Sequence, residues 1–202
     1  DEHDQIGIVI EKAKEIWLQS CTTQSNTQIP FSALYHNLVL LFSSLTGCEN
    51  RRPTQQQLSL FSTASAEDVK EEAIDSHDFD NYYLWFVAMC HIIKDFKWIY
   101  DDKQRDVMMA LFFTTQQSEH ALSKQKHGTF LLRLGTKKNE LFLSHKGKHG
   151  RIQHVCCTRV DDGAYTVQNV KRPKNIFRVL RGLTKLQYFY GSDCVVPKRT
   201  YF

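Results

Sequence analysis

Gly128-Thr129-Phe130-Leu131-Leu132-Arg133-Leu134-Gly135 is the stretch on which the rest of the chain turns. It is a near-continuous apolar run with glycine at both ends and one arginine inside. Such a run predicts a short, buried strand. A guanidinium inside a buried strand is costly unless something pairs with it. Its best partner is a doubly charged phosphate, which the planar fork can hold through two parallel hydrogen bonds. The alternative is a structural salt bridge. Acids are scarce for that purpose, since residues 121–202 contain 4 Asp/Glu.

Around this strand the pattern is helix, sheet, helix. Ser118 to Lys126 predicts a short polar helix with Ala121 and Leu122 facing inward. Glu140 to His145 predicts a second strand and Lys146 to Arg151 a turn rich in glycine and lysine. Ile152 to Val160 predicts a third strand, Asp161-Asp162-Gly163 a hairpin turn, and Ala164 to Val167 a fourth, short strand. Lys171 to Lys174 is a basic loop. Asn175 can cap a helix with Ile176, Val179, Leu180 and Leu183 at helical spacing. Tyr188 and Tyr190 are expected to pack against the sheet. The prediction is a central antiparallel sheet flanked by two helices.

The first half reads as all helix. Ile6 to Gln19 is helical by period. Pro30 opens a helix with Phe31, Leu34, Tyr35, Leu38, Phe42 and Leu45 on one face, and Gly47 can stop it. Pro53 opens a short helix, Thr54 to Phe61, and Ser65 can cap another, with Glu67 and Asp68 in its first turn. Asp80 is the expected cap of Asn81 to Lys97. That helix is apolar over most of its circumference and so should be central. The fold class is therefore α+β: a helical domain over residues 1–107, then a sheet domain over 108–202.

Charge divides along the same line. Residues 1–120 carry 9 Lys/Arg against 18 Asp/Glu, whereas residues 121–202 carry 17 against 4. The basic half should attract an anion. The bland alternative is a solvated basic surface paired with the acidic half.

Several function classes are excluded or disfavoured by missing patterns. No apolar run reaches the length of about 18–20 residues needed to span a membrane. The acidic N-terminus lacks a signal peptide's basic and apolar regions. Six cysteines without C-x-x-C read as reduced thiols of a cytoplasmic or nuclear protein. Cys156 and Cys157 should point to opposite faces of one strand. No metal, calcium or other cofactor motif is present, nor a phosphatase cysteine signature, kinase motif or P-loop, so no enzyme is expected.

The Gly128–Arg133 strand, Ile152-Gln153-His154 and Asp161-Asp162-Gly163-Ala164-Tyr165, in that order, resemble a Src-homology-2 (SH2) domain. Phe42-Ser43-Ser44-Leu45-Thr46, Gln57-Leu58-Ser59-Leu60 and Leu84-Trp85-Phe86 look like the helical linker that precedes this domain in STAT transcription factors. The resemblance implies a non-enzymatic phosphotyrosine reader. In it Arg133 would clamp the phosphate, and Thr136, Lys137 and Lys138 would cup it with backbone N–H groups and two ammonium charges. His154 would lie beside the phosphotyrosine ring, or be merely an exposed strand histidine. The loop around Lys171–Lys174 would border the side-chain specificity surface.

Two helpers depart from the family pattern. Gly135 stands where a serine is usual, and Thr115 and Gln116 are neutral where the first helix usually supplies a base. Lys146 is the candidate substitute. The expected partners are phosphotyrosine-bearing receptor tails or STAT proteins, with no membrane insertion. The chain lacks the STAT DNA-binding part and tyrosine tail. This leaves two versions: a piece of a STAT-like factor, or a free-standing, pathogen-made decoy that competes for phosphotyrosines. A degenerate scaffold and a nucleic-acid-binding basic half are the alternatives. The second lacks an aromatic-basic stacking motif.

Overall fold

The computed structural model describes residues 2–21 (side chains from residue 11), 28–61, 73–168, 172–191 and 195–202. Helix α1 (Glu2–Ser20) and strand β1 (Gln28–Pro30) lead into α2 (Phe31–Thr46). Pro30 is the N-cap of α2, and Gly47, at φ 67, ends it by donating its N–H to the Ser43 carbonyl. That left-handed turn carries no Cβ penalty in glycine. In α3 (Gln55–Ser59), Thr54 and Gln57 cap each other's free N–H groups. The helix expected from Ser65 lies outside the described residues.

Strand β2 (Ala73–Asp75) pairs antiparallel with β1, a ribbon that periodicity does not reveal. Helix α4 (Ser76–Asp95) starts at Ser76 rather than Asn81. Its cap is Asp75, not Asp80: the Asp75 carboxylate accepts the Asp78 N–H at 2.8 Å. The β1–β2 ribbon ends at Asp75, and that contact chooses among the acids of this segment. Phe79, Tyr82, Phe86, Met89 and Ile93 are all buried, so α4 is the centre of the helical half. Each such side chain contributes about 1.5–3 kcal/mol by leaving water.

A short α5 (Lys97–Tyr100) and a 3-10 turn (Met109–Phe112) connect to α6 (Thr115–Ser123). Helix α6 begins three residues before the predicted Ser118, because Thr114 and Gln117 form a second reciprocal capping box. Ser118 and Leu122 face inward; Ala121 is only half-buried.

The sheet contains β3 (Thr129–Leu134), β4 (Glu140–Lys146), β5 (Ile152–Asp161), β6 (Ala164–Val167), β7 (Lys174–Asn175), β8 (Tyr188–Tyr190) and β9 (Val195–Pro197), with α7 (Ile176–Gly182) between β7 and β8. The strand order is β7-β6-β5-β4-β3-β8-β9. It is antiparallel except where β8 runs parallel to β3. Tyr188 and Tyr190 are therefore members of the sheet rather than side chains laid on it.

Register assigns the two faces. Arg133 stands opposite Phe142, Phe142 opposite Cys156, and Ser144 opposite His154. Helix α6 packs on this face. Leu132, Leu134, Leu141, Leu143 and Cys157 point the other way, into a core shared with Ile176 and Leu180 of α7. Cys156 and Cys157 do fall on opposite faces, and Cys157 is the buried one.

The two halves share one continuous apolar core running from Ala13 to Tyr201. Polar ties reinforce it. Asp95, at the end of α4, accepts hydrogen bonds from Arg159 Nε at 2.7 Å, Tyr165 Oη at 2.9 Å and the Gly163 N–H at 3.1 Å. Asp101 accepts the backbone N–H groups of Glu49, Asn50 and Arg51 at 2.9–3.0 Å. Among the described residues, no helix is long and apolar enough to cross a membrane.

Candidate phosphate-binding site

Arg133 sits in the middle of the sheet with all six residues of β3 buried. Its own exposure is 8%. Its guanidinium carbon lies 4.3 Å from the centroid of the Phe142 ring, a cation–π contact. Its Nε–H is buried and has no hydrogen-bond partner among the described residues. No salt bridge reaches it among the described residues. Burial pulls this guanidinium below the ordinary arginine value, while Cys156, Glu119 and Glu140 push the other way. Arginine stays charged regardless.

Beside Phe142, on the same face, the sheet opens into a recess of about 620 Å³ lined by His154, Cys156, Thr158, Thr166 and Gln168. His154 is half-buried and held from both sides. Its Nδ1 lies 2.7 Å from Ser144 Oγ, and its Nε2 lies 3.3 Å from the Glu119 carboxylate on α6. It is thus a bridge between helix and sheet at the border of the recess.

The β3–β4 turn is tight. Gly135 and Glu140 close it, with the Gly135 N–H donating to the Glu140 carbonyl at 2.9 Å. Asn139 takes a positive φ of 66°. Thr136, Lys137 and Lys138 are exposed at its tip. The Lys137 N–H donates to Glu140 Oε2 at 3.3 Å. From the helical half, Trp85 donates its indole N–H to the Gly135 carbonyl at 3.0 Å. The turn is therefore pinned from below by α4.

Lys146 does other work than the sequence suggests. Its ammonium donates to the carbonyls of Ser123 and Gln125 at 2.6 and 2.8 Å, satisfying the C-terminal end of α6. The reason is position: Lys146 shares the face of Arg133 but sits at the far end of β4, under the last turn of α6. The Thr136–Lys138 turn begins three residues after Arg133, and His154 shares with Phe142 and Cys156 the wall of the recess.

Sequence reasoning missed Glu119, Glu140, Phe142, Ser144 and Cys156. A strand period of two, counted from a hairpin closed at Gly135 and Glu140, places Phe142 and Ser144 on the Arg133 face. No comparable signal exists for Glu119.

On the opposite face a larger apolar recess, about 740 Å³, lies between α7 and the sheet, with Leu143, Val155, Val179 and Leu183 in its wall. Pro173 and Lys174 of the basic loop line it; Lys171 lies outside the described residues.

Residues 98–180 match the family model of the SH2 domain. The match begins at Trp98, in α5, and ends at Leu180, in α7. An SH2 domain at these residues implies phosphotyrosine-peptide binding in signalling, and SH2 domains are binding modules rather than enzymes. Comparison with curated proteins finds no match.

Proposed function

We propose that this chain reads phosphotyrosine through Arg133, using a helical half that serves the SH2 domain as the linker does in STAT proteins. The partners are phosphotyrosine-bearing receptor tails or STAT proteins in the cytoplasm or nucleus. One observation carries the phosphate assignment. Arg133 is a buried cation packed on Phe142, which lines an open recess, and its Nε–H has no partner among the described residues. A phosphate supplies both the missing charge and the acceptors. Lys137, Lys138 and Thr136 stand at the mouth of the same turn, and His154 borders the recess where an aromatic ring would lie. The linker assignment rests on the Trp85 indole bond to Gly135, which ties α4 to the phosphate turn itself.

Titration of phosphotyrosine peptides against the wild type and Arg133→Ala tests this reading. The variant should lose affinity by at least about tenfold, the size of one charge-assisted hydrogen bond. Equal affinity for the two proteins would sink it.

A further inference from the structure

The position two residues beyond Arg133 lies on the same face of the strand, and here it is Gly135. The space a side chain would use there is filled. A Cβ built on Gly135 would run into Glu140 Cβ, and would lie 2.5 Å from Glu140 Oε2 and 3.0 Å from the Phe142 ring. Glu140 thus lays a carboxylate over the glycine, at the base of the turn. The same oxygen takes the Lys137 N–H, one of the backbone donors at which a bound phosphate would be expected. Glu140 acts electrostatically on Arg133 as well, yet forms no ion pair with it within the described residues. The carboxylate thus occupies a backbone donor of the turn without pairing with the arginine among the described residues.

We propose that Glu140 is a built-in competitor for the phosphate, a carboxylate held in the turn that an incoming phosphotyrosine must displace. The proposal rests on the Arg133 reading above. A single carboxylate charge offers fewer acceptors than a phosphate dianion, so a phosphate can win the site. It does so at reduced affinity, because the displaced carboxylate either stays close and repels it or swings into water. The glycine at 135 makes room for the arrangement, since a larger residue would meet both the root and the carboxylate of Glu140. The Trp85 bond to the Gly135 carbonyl holds that seat in register with α4. The binding threshold is thereby set within the domain: weak or singly charged anions fail to enter, and a phosphate monoester enters only at higher concentration.

Calorimetric titration of the full chain with phenyl phosphate tests this, using the wild type, E140Q, E140A, R133A and the E140Q/R133A double variant. E140Q keeps the shape of the side chain and removes its charge, and E140A removes both, so a fold defect in one does not disable the test. Both should bind about tenfold more tightly than the wild type. That gain should vanish when E140Q/R133A is compared with R133A. Unchanged or weaker binding by both Glu140 variants, with binding still lost in R133A, overturns the competitor role and leaves the Arg133 reading standing. A gain that persists without Arg133 also overturns it, since charge removal at a distance would then explain the effect. If R133A binds as well as the wild type, the Arg133 reading falls and this proposal with it.

Discussion

Two arginines of the same sheet, buried Arg133 in β3 and half-buried Arg159 in β5, have opposite surroundings. The Arg159 side chain is 10% exposed and meets the Asp95 carboxylate at 2.7 Å, with Asp162 also at 2.7 Å. Arg133 is 8% exposed and meets the face of Phe142. They differ in burial only by degree, whereas in the supply of counter-charge they differ in kind. At Arg159 the protein provides the anion, and the result is a joint between the helical half and the sheet. At Arg133 none of the described residues provides one in direct contact, and the charge is left unmet. The comparison teaches that a buried charge is informative through its partners rather than its depth.

The sharpest way to break the comparison is to unpair Arg159. Asp95→Ala should destabilise the fold by about 3–5 kcal/mol, because it removes the buried partner of Arg159, leaving it only the exposed Asp162, and takes the acceptor away from the Tyr165 hydroxyl and the Gly163 N–H. Urea denaturation measures this, and a loss below about 1 kcal/mol would show that the joint is ornamental.

Asp101 extends the rule to a carboxylate that the backbone satisfies. Burial pushes its carboxyl up, but the N–H groups of Glu49, Arg51 and Asn50 outweigh that and hold it below the ordinary value. A depressed folded value means the contribution is full above the unfolded value of about 3.9 and is lost as pH falls through the folded value. Asp101→Asn should therefore cost about 1–2 kcal/mol near neutral pH. The gap to the wild type should narrow in denaturation curves taken toward about pH 3. A gap that widens with acid would contradict the assignment.

The smallest effect is expected where the comparison is most pointed. Arg133→Met should leave stability within about 1 kcal/mol of the wild type, or raise it, because an unpaired buried cation gives way to an apolar chain of similar length. Thermal unfolding without ligand is the measurement. A large loss would mean that Arg133 has a structural partner after all.

Much of this contrast was legible in the sequence and part of it was not. The Gly128–Leu134 strand, its arginine, the β4–β6 strands and the Asn175 cap follow from local pattern, because a strand's faces alternate and a cap lies next to its helix. Helices α1 to α4 follow from period in the same way. What pattern could not supply was pairing across distance. Lys146 has the same charge and face whether it serves a phosphate or the α6 carbonyls, and only the packing of α6 decides. Glu140 looks like the start of an ordinary strand until the turn folds it back over Gly135. Strands β8 and β9 are three residues each, too short to carry a period. The α4 start was misplaced because Asp75, Asp78 and Asp80 all suit a cap and a tertiary contact selects the first. Asp95 stands apart: nothing near it announces that Arg159 will arrive.

The parallel pairing of β8 with β3 has a consequence for how the protein comes into being on the ribosome. Thr129 pairs with Tyr188, about 60 residues later in the chain, and loops of that length close slowly. Until the segment Tyr188–Tyr190 has emerged, the strand that carries Arg133 has one edge bare. A bare, apolar edge is an invitation to neighbouring nascent chains. The strand of Arg133 is thus among the first parts of the sheet to be synthesised and among the last to be completed.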